Sequence, residues 1–384
     1  MPRCIPRLGT AKWKRVVAAG FIGWTAYSVR TQELDLPNLD LPILLPKWVH
    51  DVGLRTGAGY RDNITLASQS PQESAFILTS LEMFFLRLPE NNTQLSLFLT
   101  AEDLHFLSSG PLDKEQTVFA QAQVKTDCGS GWQVSLASEY VYQDQVVDVS
   151  LTDPTLSTMR VLGHTAIVRG GLRRDFASNY WVIVELPVQR QFYEEPLDDY
   201  SELGPRFTLG KTYGHQSELS VRCDITQRRY DHEPLRNSNG SAIPFSHRES
   251  TQQDVRLAWK HYWDSPRRWR VTTKFAAKQS EDYGSGYYDY TRLQVGEQLL
   301  FRSDRWELAA EAKLTRYDYP VQTVSVTDLD KRRSTEWGLN FRCERKVSRF
   351  LKIFAEYDRA QTFSNLASEQ YVVNTVKGGM NWTF

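Results

Sequence analysis

The amino-acid sequence predicts an all-β protein whose body is one closed antiparallel transmembrane barrel of about sixteen strands, with about fourteen as the nearest alternative. Composition is the first observation behind this. Aromatics make up 12% of the 384 residues, with 18 Tyr, 18 Phe and 11 Trp, yet the mean hydropathy is only -0.48. Large rings mixed with a strongly polar remainder arise when lipid-facing and lumen-facing positions alternate along each strand. The second observation is a dominant period of two beyond Trp48, without a long helical period. The third is a strict alternation of short and long connections. Length alone would instead suggest two or three soluble domains.

Taken in order, residues 1–28 read as a signal peptide. Arg3, Arg7, Lys12, Lys14 and Arg15 precede the short apolar run Val16 to Trp24, and Ala26 and Ser28 offer small residues for cleavage after Ser28. Tyr27 spoils that site, so an uncleaved anchor is the alternative. Residues 29–47 form a linker punctuated by Pro37, Pro42 and Pro46. Each proline removes a donor and disfavours helix before it, so the segment is extended and either hangs in the periplasm or plugs the barrel mouth.

From 48 to 384 the chain reads as hairpins. Along Trp306 to Tyr317, the residues Trp306, Leu308, Ala310, Ala312 and Leu314 alternate with Glu307, Ala309, Glu311, Lys313 and Thr315. A sandwich core would bury those charges, whereas a wet lumen accepts them. Phe350 to Asp358, Gln216 to Gln227 and Thr117 to Lys125 repeat the pattern. Short turns fall at 89–92, 127–131, 176–179, 213–216, 264–267, 302–305 and 345–348. Longer loops fall at 61–72, 107–116, 147–157, 193–200, 232–249, 279–287, 320–332 and 363–368. Rings appear sorted between the two ends. Trp48, Trp132, Trp181, Trp263, Trp269, Trp306, Phe350, Trp382 and Phe384 lie by short turns or barrel ends, while Tyr60, Phe106, Tyr142, Phe192, Tyr230, Tyr288, Tyr317 and Tyr371 lie by long loops. Two interfacial girdles are therefore expected.

The final stretch sets Val376, Gly378, Met380, Trp382 and Phe384 against Thr375, Lys377, Gly379, Asn381 and Thr383. It resembles the closing signal of bacterial outer-membrane β-barrels, and 48–384 as a whole is similar to that superfamily. The start Gly57-Ala58-Gly59-Tyr60-Arg61-Asp62-Asn63, and the stretch from Gly204-Pro205-Arg206 to Arg229-Tyr230-Asp231, resemble porin-like barrels and barrels associated with surface export or exopolysaccharide systems. The resemblance implies a Gram-negative outer membrane, contact with its lipid and lipopolysaccharide, and assembly by barrel-assembly machinery that reads Val376, Met380, Trp382 and Phe384. Surface-export partners would follow from the second likeness.

Function is then expected from the inward face. Arg256, Lys260, Arg270, Lys274 and Lys278 form a basic wall, followed by the mixed set Glu307, Glu311, Lys313, Lys352 and Glu356. Such a wall guides anions, or else its charges simply pair across the lumen. The preferred reading is a channel for small solutes or an exported polymer, with no catalytic residue, cofactor or metal. A plugged docking barrel of a surface-assembly system is the second reading. An enzyme is the third, with Ser138 and His164 on the lipid face as a hydrolytic pair, His164 facing Tyr140 and diagonal to Ser138; its bland counterpart is His164 bonded to the Tyr140 hydroxyl. The loop 147–157 is short beside the inward-folded acidic third loop of general trimeric porins, which argues against that arrangement. The loop 232–249 reads as a flexible tip or a lid over the pore. Cys4, Cys128, Cys223 and Cys343 lack metal or disulfide spacing, and zero net charge, from 46 basic and 46 acidic residues, gives no reason to bind nucleic acid.

Overall fold

The computed structural model describes residues 47–90, 92–108, 110, 112–150, 158–325 and 327–384. The expected signal peptide and nearly all of the linker lie outside the described residues. The strands are β1 (Trp48–Arg61), β2 (Ser74–Glu90), β3 (Thr93–Phe106), β4 (Lys114–Gly129), β5 (Trp132–Asp148) and β6 (Thr158–Asp175). After β7 (Tyr180–Tyr193) come β8 (Tyr200–Leu203), β9 (Arg206–Tyr213), β10 (Ser217–Tyr230), β11 (Glu249–Tyr262) and β12 (Trp269–Asp282). Then follow β13 (Tyr290–Arg302), β14 (Trp306–Thr323), β15 (Lys331–Lys346), β16 (Leu351–Ser364), a short 3-10 turn (Ala367–Glu369) and β17 (Tyr371–Thr383).

All seventeen strands belong to one sheet. β8 and β9 each lie between β7 and β10, so they are the two halves of a single stave and seventeen strands make sixteen staves. The interruption is at Gly204-Pro205. Proline has no donor for the ladder, and a Cβ on Gly204 would lie 1.9 Å from the Ile225 carbonyl oxygen. The ring closes where β1 pairs antiparallel with β17, from Gly53 opposite Thr383 to Arg61 opposite Thr375. Closure leaves no ladder edge exposed to lipid.

Alternation decides what each stave shows to either side. On β10, Leu219, Val221 and Ile225 are exposed, while the intervening Asp224 and Arg228 are buried. On β14, Trp306, Leu308 and Leu314 are exposed and Thr315 and Tyr317 buried. Repeated around the ring, this gives an apolar belt over the outer face and a polar interior. In water such a belt would be a vast sticky patch; as the face of a closed barrel with short turns at one end and long loops at the other, it is that of an outer-membrane protein. Each expected short turn and long loop coincides with a break between consecutive staves, with strand ends reaching up to four residues into it, as β12 does to Asp282 and β14 to Thr323.

The ring-sorting expectation is correct at one end only. Trp48, Trp263, Trp269, Trp306, Phe350 and Phe384 are exposed at the short-turn end, and Arg174 covers Trp132 at 4.6 Å. Trp181, however, is buried, with its ring against the backbone of Gly210. At the long-loop end Tyr60 and Phe192 are exposed, but Phe106, Tyr230, Tyr288, Tyr317 and Tyr371 are buried inside the mouth. Tyr230 shares the parity of Asp224, and Tyr317 that of Lys313, so strand parity overrides nearness to a loop.

Candidate functional site in the barrel lumen

At the long-loop end a side-chain cluster reaches across the mouth. Arg332, on β15 and 2% exposed, donates to the Ser150 carbonyl at 2.8 Å and to Gln322 at 2.9 Å. Its Nη2 lies 2.6 Å from the Glu369 carboxylate, and the guanidinium covers the Tyr319 ring at 4.5 Å. Ser364 fixes Glu369 with a 2.8 Å hydrogen bond. Ser150 opens the third long loop, and its N–H and hydroxyl donate to Asp148. Since β5 and β15 lie on distant sides of the ring, Arg332 pins the root of loop three inside the barrel. Short as that loop is, its root turns inward. Sequence reasoning missed Arg332, Ser150 and Glu369, because no local pattern announces a contact between residues 182 apart.

Below this cluster the two sides of the lumen differ. On β1–β4 the inward Phe76, Leu78, Leu104 and Phe106 pack with Ile64 and Leu112 from the loops and with Phe354 of β16. β1 makes room for them: a Cβ on Gly59 would meet the Phe76 ring at 2.3 Å. Further along, Phe98 and Phe119 rings sit 6.0 Å apart and remain half-buried. On the opposite side, β10–β13, arginines dominate. Arg222 and Arg256 face each other in register, as do Asp224 and Asp254. Asp224 binds Arg222 at 2.9 Å and Arg206 at 3.0 Å, while Asp254 holds Arg256 at 2.6 Å and lies 3.5 Å from Arg292. Two carboxylates thus steady four guanidiniums, and the wall stays positive.

The expected lumen residues all occupy inward positions. Arg256 is paired along its own strand rather than across the lumen, and Arg270 donates to Gln298 at 3.2 Å. Lys260 lies 5.0 Å over the Tyr262 ring. Lys274 is inward yet exposed, so water reaches this wall, whereas Lys278 is buried behind it. In the mixed set, Glu307 meets Arg302 at 3.3 Å, Glu311 accepts from Gln298 at 3.2 Å, and Lys352 lies 3.9 Å from Glu344. Glu356 is 3.3 Å from Lys377, and Lys313 faces Gly296 from mid-strand. Their partners therefore sit on the same or adjoining staves.

Val376 and Met380 are exposed on the outer face of β17, with Trp382 beside them, and the Phe384 N–H closes the ladder on the Val52 carbonyl at 2.9 Å. The loop 231–248 is folded rather than loose: Arg236 donates to the Tyr288 hydroxyl at 2.8 Å, and Arg248 is stacked between Tyr230 (4.5 Å) and Tyr288 (3.6 Å).

The lipid-face hydrolytic pair does not form. His164 stands opposite Tyr142 rather than Tyr140, and Ser138 stands opposite Val168. Four residues of strand, about 13 Å, separate Ser138 from the histidine's level. His164 Nδ1 instead bonds the Tyr140 hydroxyl at 2.6 Å. Among the described residues no His, Cys, Asp and Glu cluster has the arrangement of a metal site.

No family model matches the chain, and no curated protein matches it. Solved structures that superpose on it include OccAB1 of Acinetobacter baumannii, 8% identical, with a TM-score of 0.49 over 88% of this chain and 96% of that one. A BenF-like porin from Pseudomonas fluorescens is 9% identical with a TM-score of 0.47, covering 88% and 100% of the two chains. An anion-selective porin from Comamonas acidovorans is 9% identical with a TM-score of 0.45, covering 88% and 99%.

Proposed function

We propose that the protein is an outer-membrane channel for small organic anions, with its long loops outside the cell and no catalytic group. One observation carries the reading: a positive, water-reached wall on β10–β13 faces a wall bearing half-buried phenylalanines on β2–β4. A solute with a carboxylate at one end and an apolar body is complementary to both sides at once. Sixteen staves leave room for an aqueous lumen. The mouth, narrowed by the pinned root of loop three and by the apolar cluster around Phe76, favours small solutes over a polymer.

The test is conductance of the purified protein in a planar bilayer under a salt gradient, together with swelling of proteoliposomes in benzoate and in a neutral sugar of similar size. The wild type should prefer anions and admit benzoate faster. Lys274→Glu should shift the reversal potential toward cations. Absent conductance, or cation preference in the wild type, would sink the reading.

A further inference from the structure

Around most of the long-loop rim, outward-facing cations are matched by carboxylates. Arg160 is held by Asp144 at 2.6 Å and by Asp113 at 3.2 Å. Arg190 donates to Asp231 at 2.9 Å, and Arg229 lies 3.3 Å from Glu249. The rim of β14–β16 is different. Its outward positions carry Arg316 and Asp318 on β14, Lys331 and Arg333 on β15, and Arg359 on β16.

Asp318 stands opposite Arg333 in register, yet its carboxylate is occupied by a two-pronged bond from Arg316, at 2.9 and 3.0 Å. The exposed Arg333 side chain has no partner among the described residues. Lys331 donates only to the Val321 carbonyl at 3.0 Å, and Arg359 bonds the amide oxygens of Asn374 (3.2 Å) and Gln361 (3.4 Å) while lying over Trp337 at 5.3 Å. Asp328 and Asp330, on the loop above, make no ion pair with either cation.

The backbone adds a receptacle. β14 loses register with β15 between Asp318 and Thr323, and beside that break lies an open groove of about 250 Å³ lined by Thr291, Asp318, Tyr319, Pro320, Lys331, Arg332 and Arg333. Directly toward the membrane the same staves turn apolar, with Leu314 and Phe341 exposed on the lipid face. Cations without acid partners therefore border the long-loop edge of the apolar belt, beside a groove that a headgroup can enter.

We propose that this rim is a docking site for the phosphate-bearing headgroup of an outer-leaflet glycolipid. Arg333 and Lys331 take the phosphate, the Thr291–Pro320 groove takes adjoining sugar, and the belt below takes the acyl chains. Guanidinium and phosphate form charge-assisted, often two-pronged hydrogen bonds, and juxtamembrane cations bind anionic lipid surfaces. A lipid is chosen over free phosphate because the cations border the apolar belt. The assignment rests on the long loops facing outward and is independent of what the channel passes.

The experiment is native mass spectrometry of the detergent-solubilised barrel titrated with bis-phosphorylated lipid A and with its dephosphorylated form. Wild type should retain the phosphorylated lipid roughly tenfold more tightly. The Lys331→Ala/Arg333→Ala double variant should lose that difference, while Arg229→Ala, at a matched part of the rim, should keep it. Heat-modifiable gel migration, with conductance, shows that each variant is folded. Equal retention of the dephosphorylated lipid, unchanged retention by the double variant, or displacement by millimolar inorganic phosphate would overturn the proposal.

Discussion

The walls formed by β1–β4 and by β10–β13 face one another across one lumen, and opposite forces keep them in shape. Phe76, Leu78, Leu104 and Phe106 are buried on the first wall, and burying a side chain of that size contributes about 1.5–3 kcal/mol. Gly59 on β1 allows the close fit. On the second wall the side chains are long, cationic and held by the buried Asp224 and Asp254; removing one partner of such a pair would strand a buried charge, whereas the exposed Lys274 lies outside these pairs. The first wall is therefore structural at the mouth, and the second can change its charge at small cost to folding only at wet positions such as Lys274. A barrel whose rigidity comes from its backbone ladder can leave one wall for chemistry.

Arg332 ties β15 to the root of loop three above both walls, and its loss should have the largest effect. Arg332→Ala leaves Glu369 buried without its cation, which should cost about 3–5 kcal/mol. It also releases the root of loop three, so single-channel conductance should change together with the urea midpoint in detergent; an unchanged conductance would show that the pin does not narrow the mouth. Phe76→Ala should cost about 3–5 kcal/mol through the cavity it leaves, without altering ion preference. A selectivity change there would blur the division between the walls. Gly59→Val drives a side chain into the Phe76 ring and the Val376 carbonyl, 2.5 Å from the new Cβ, and overpacking should cost about 1–3 kcal/mol. Lys274→Glu should leave stability within about 0.5 kcal/mol while shifting selectivity. A large loss of stability in that variant would mean that the basic wall is structural as well.

Parity was legible in the chain throughout. The inward positions of Arg256, Lys274, Glu311 and Glu356 follow from a period of two that any stretch of strand displays, and the same count places Tyr230, Tyr317 and Tyr371 inside. Nearness to a loop is a poorer guide, because a ring one residue away from another points to the opposite face. Turn and loop positions were equally readable, since glycine, proline and short polar residues act locally. Residues 1–46 lie outside the described structure, so the leader and linker stand as sequence expectations.

What the sequence by itself determined was the barrel, the number of its staves and the face on which each side chain lies, because the pleat is a local property of two successive residues. Only the tertiary structure decided what meets what. His164 stands opposite Tyr142 because the β5–β6 pairing is offset by two residues from the simplest guess. Arg332 meets Ser150, and Arg316 rather than Arg333 takes Asp318, because curvature, register and the bulge in β14 set those distances. Such contacts depend on the closure of the whole ring, which no short window of residues contains.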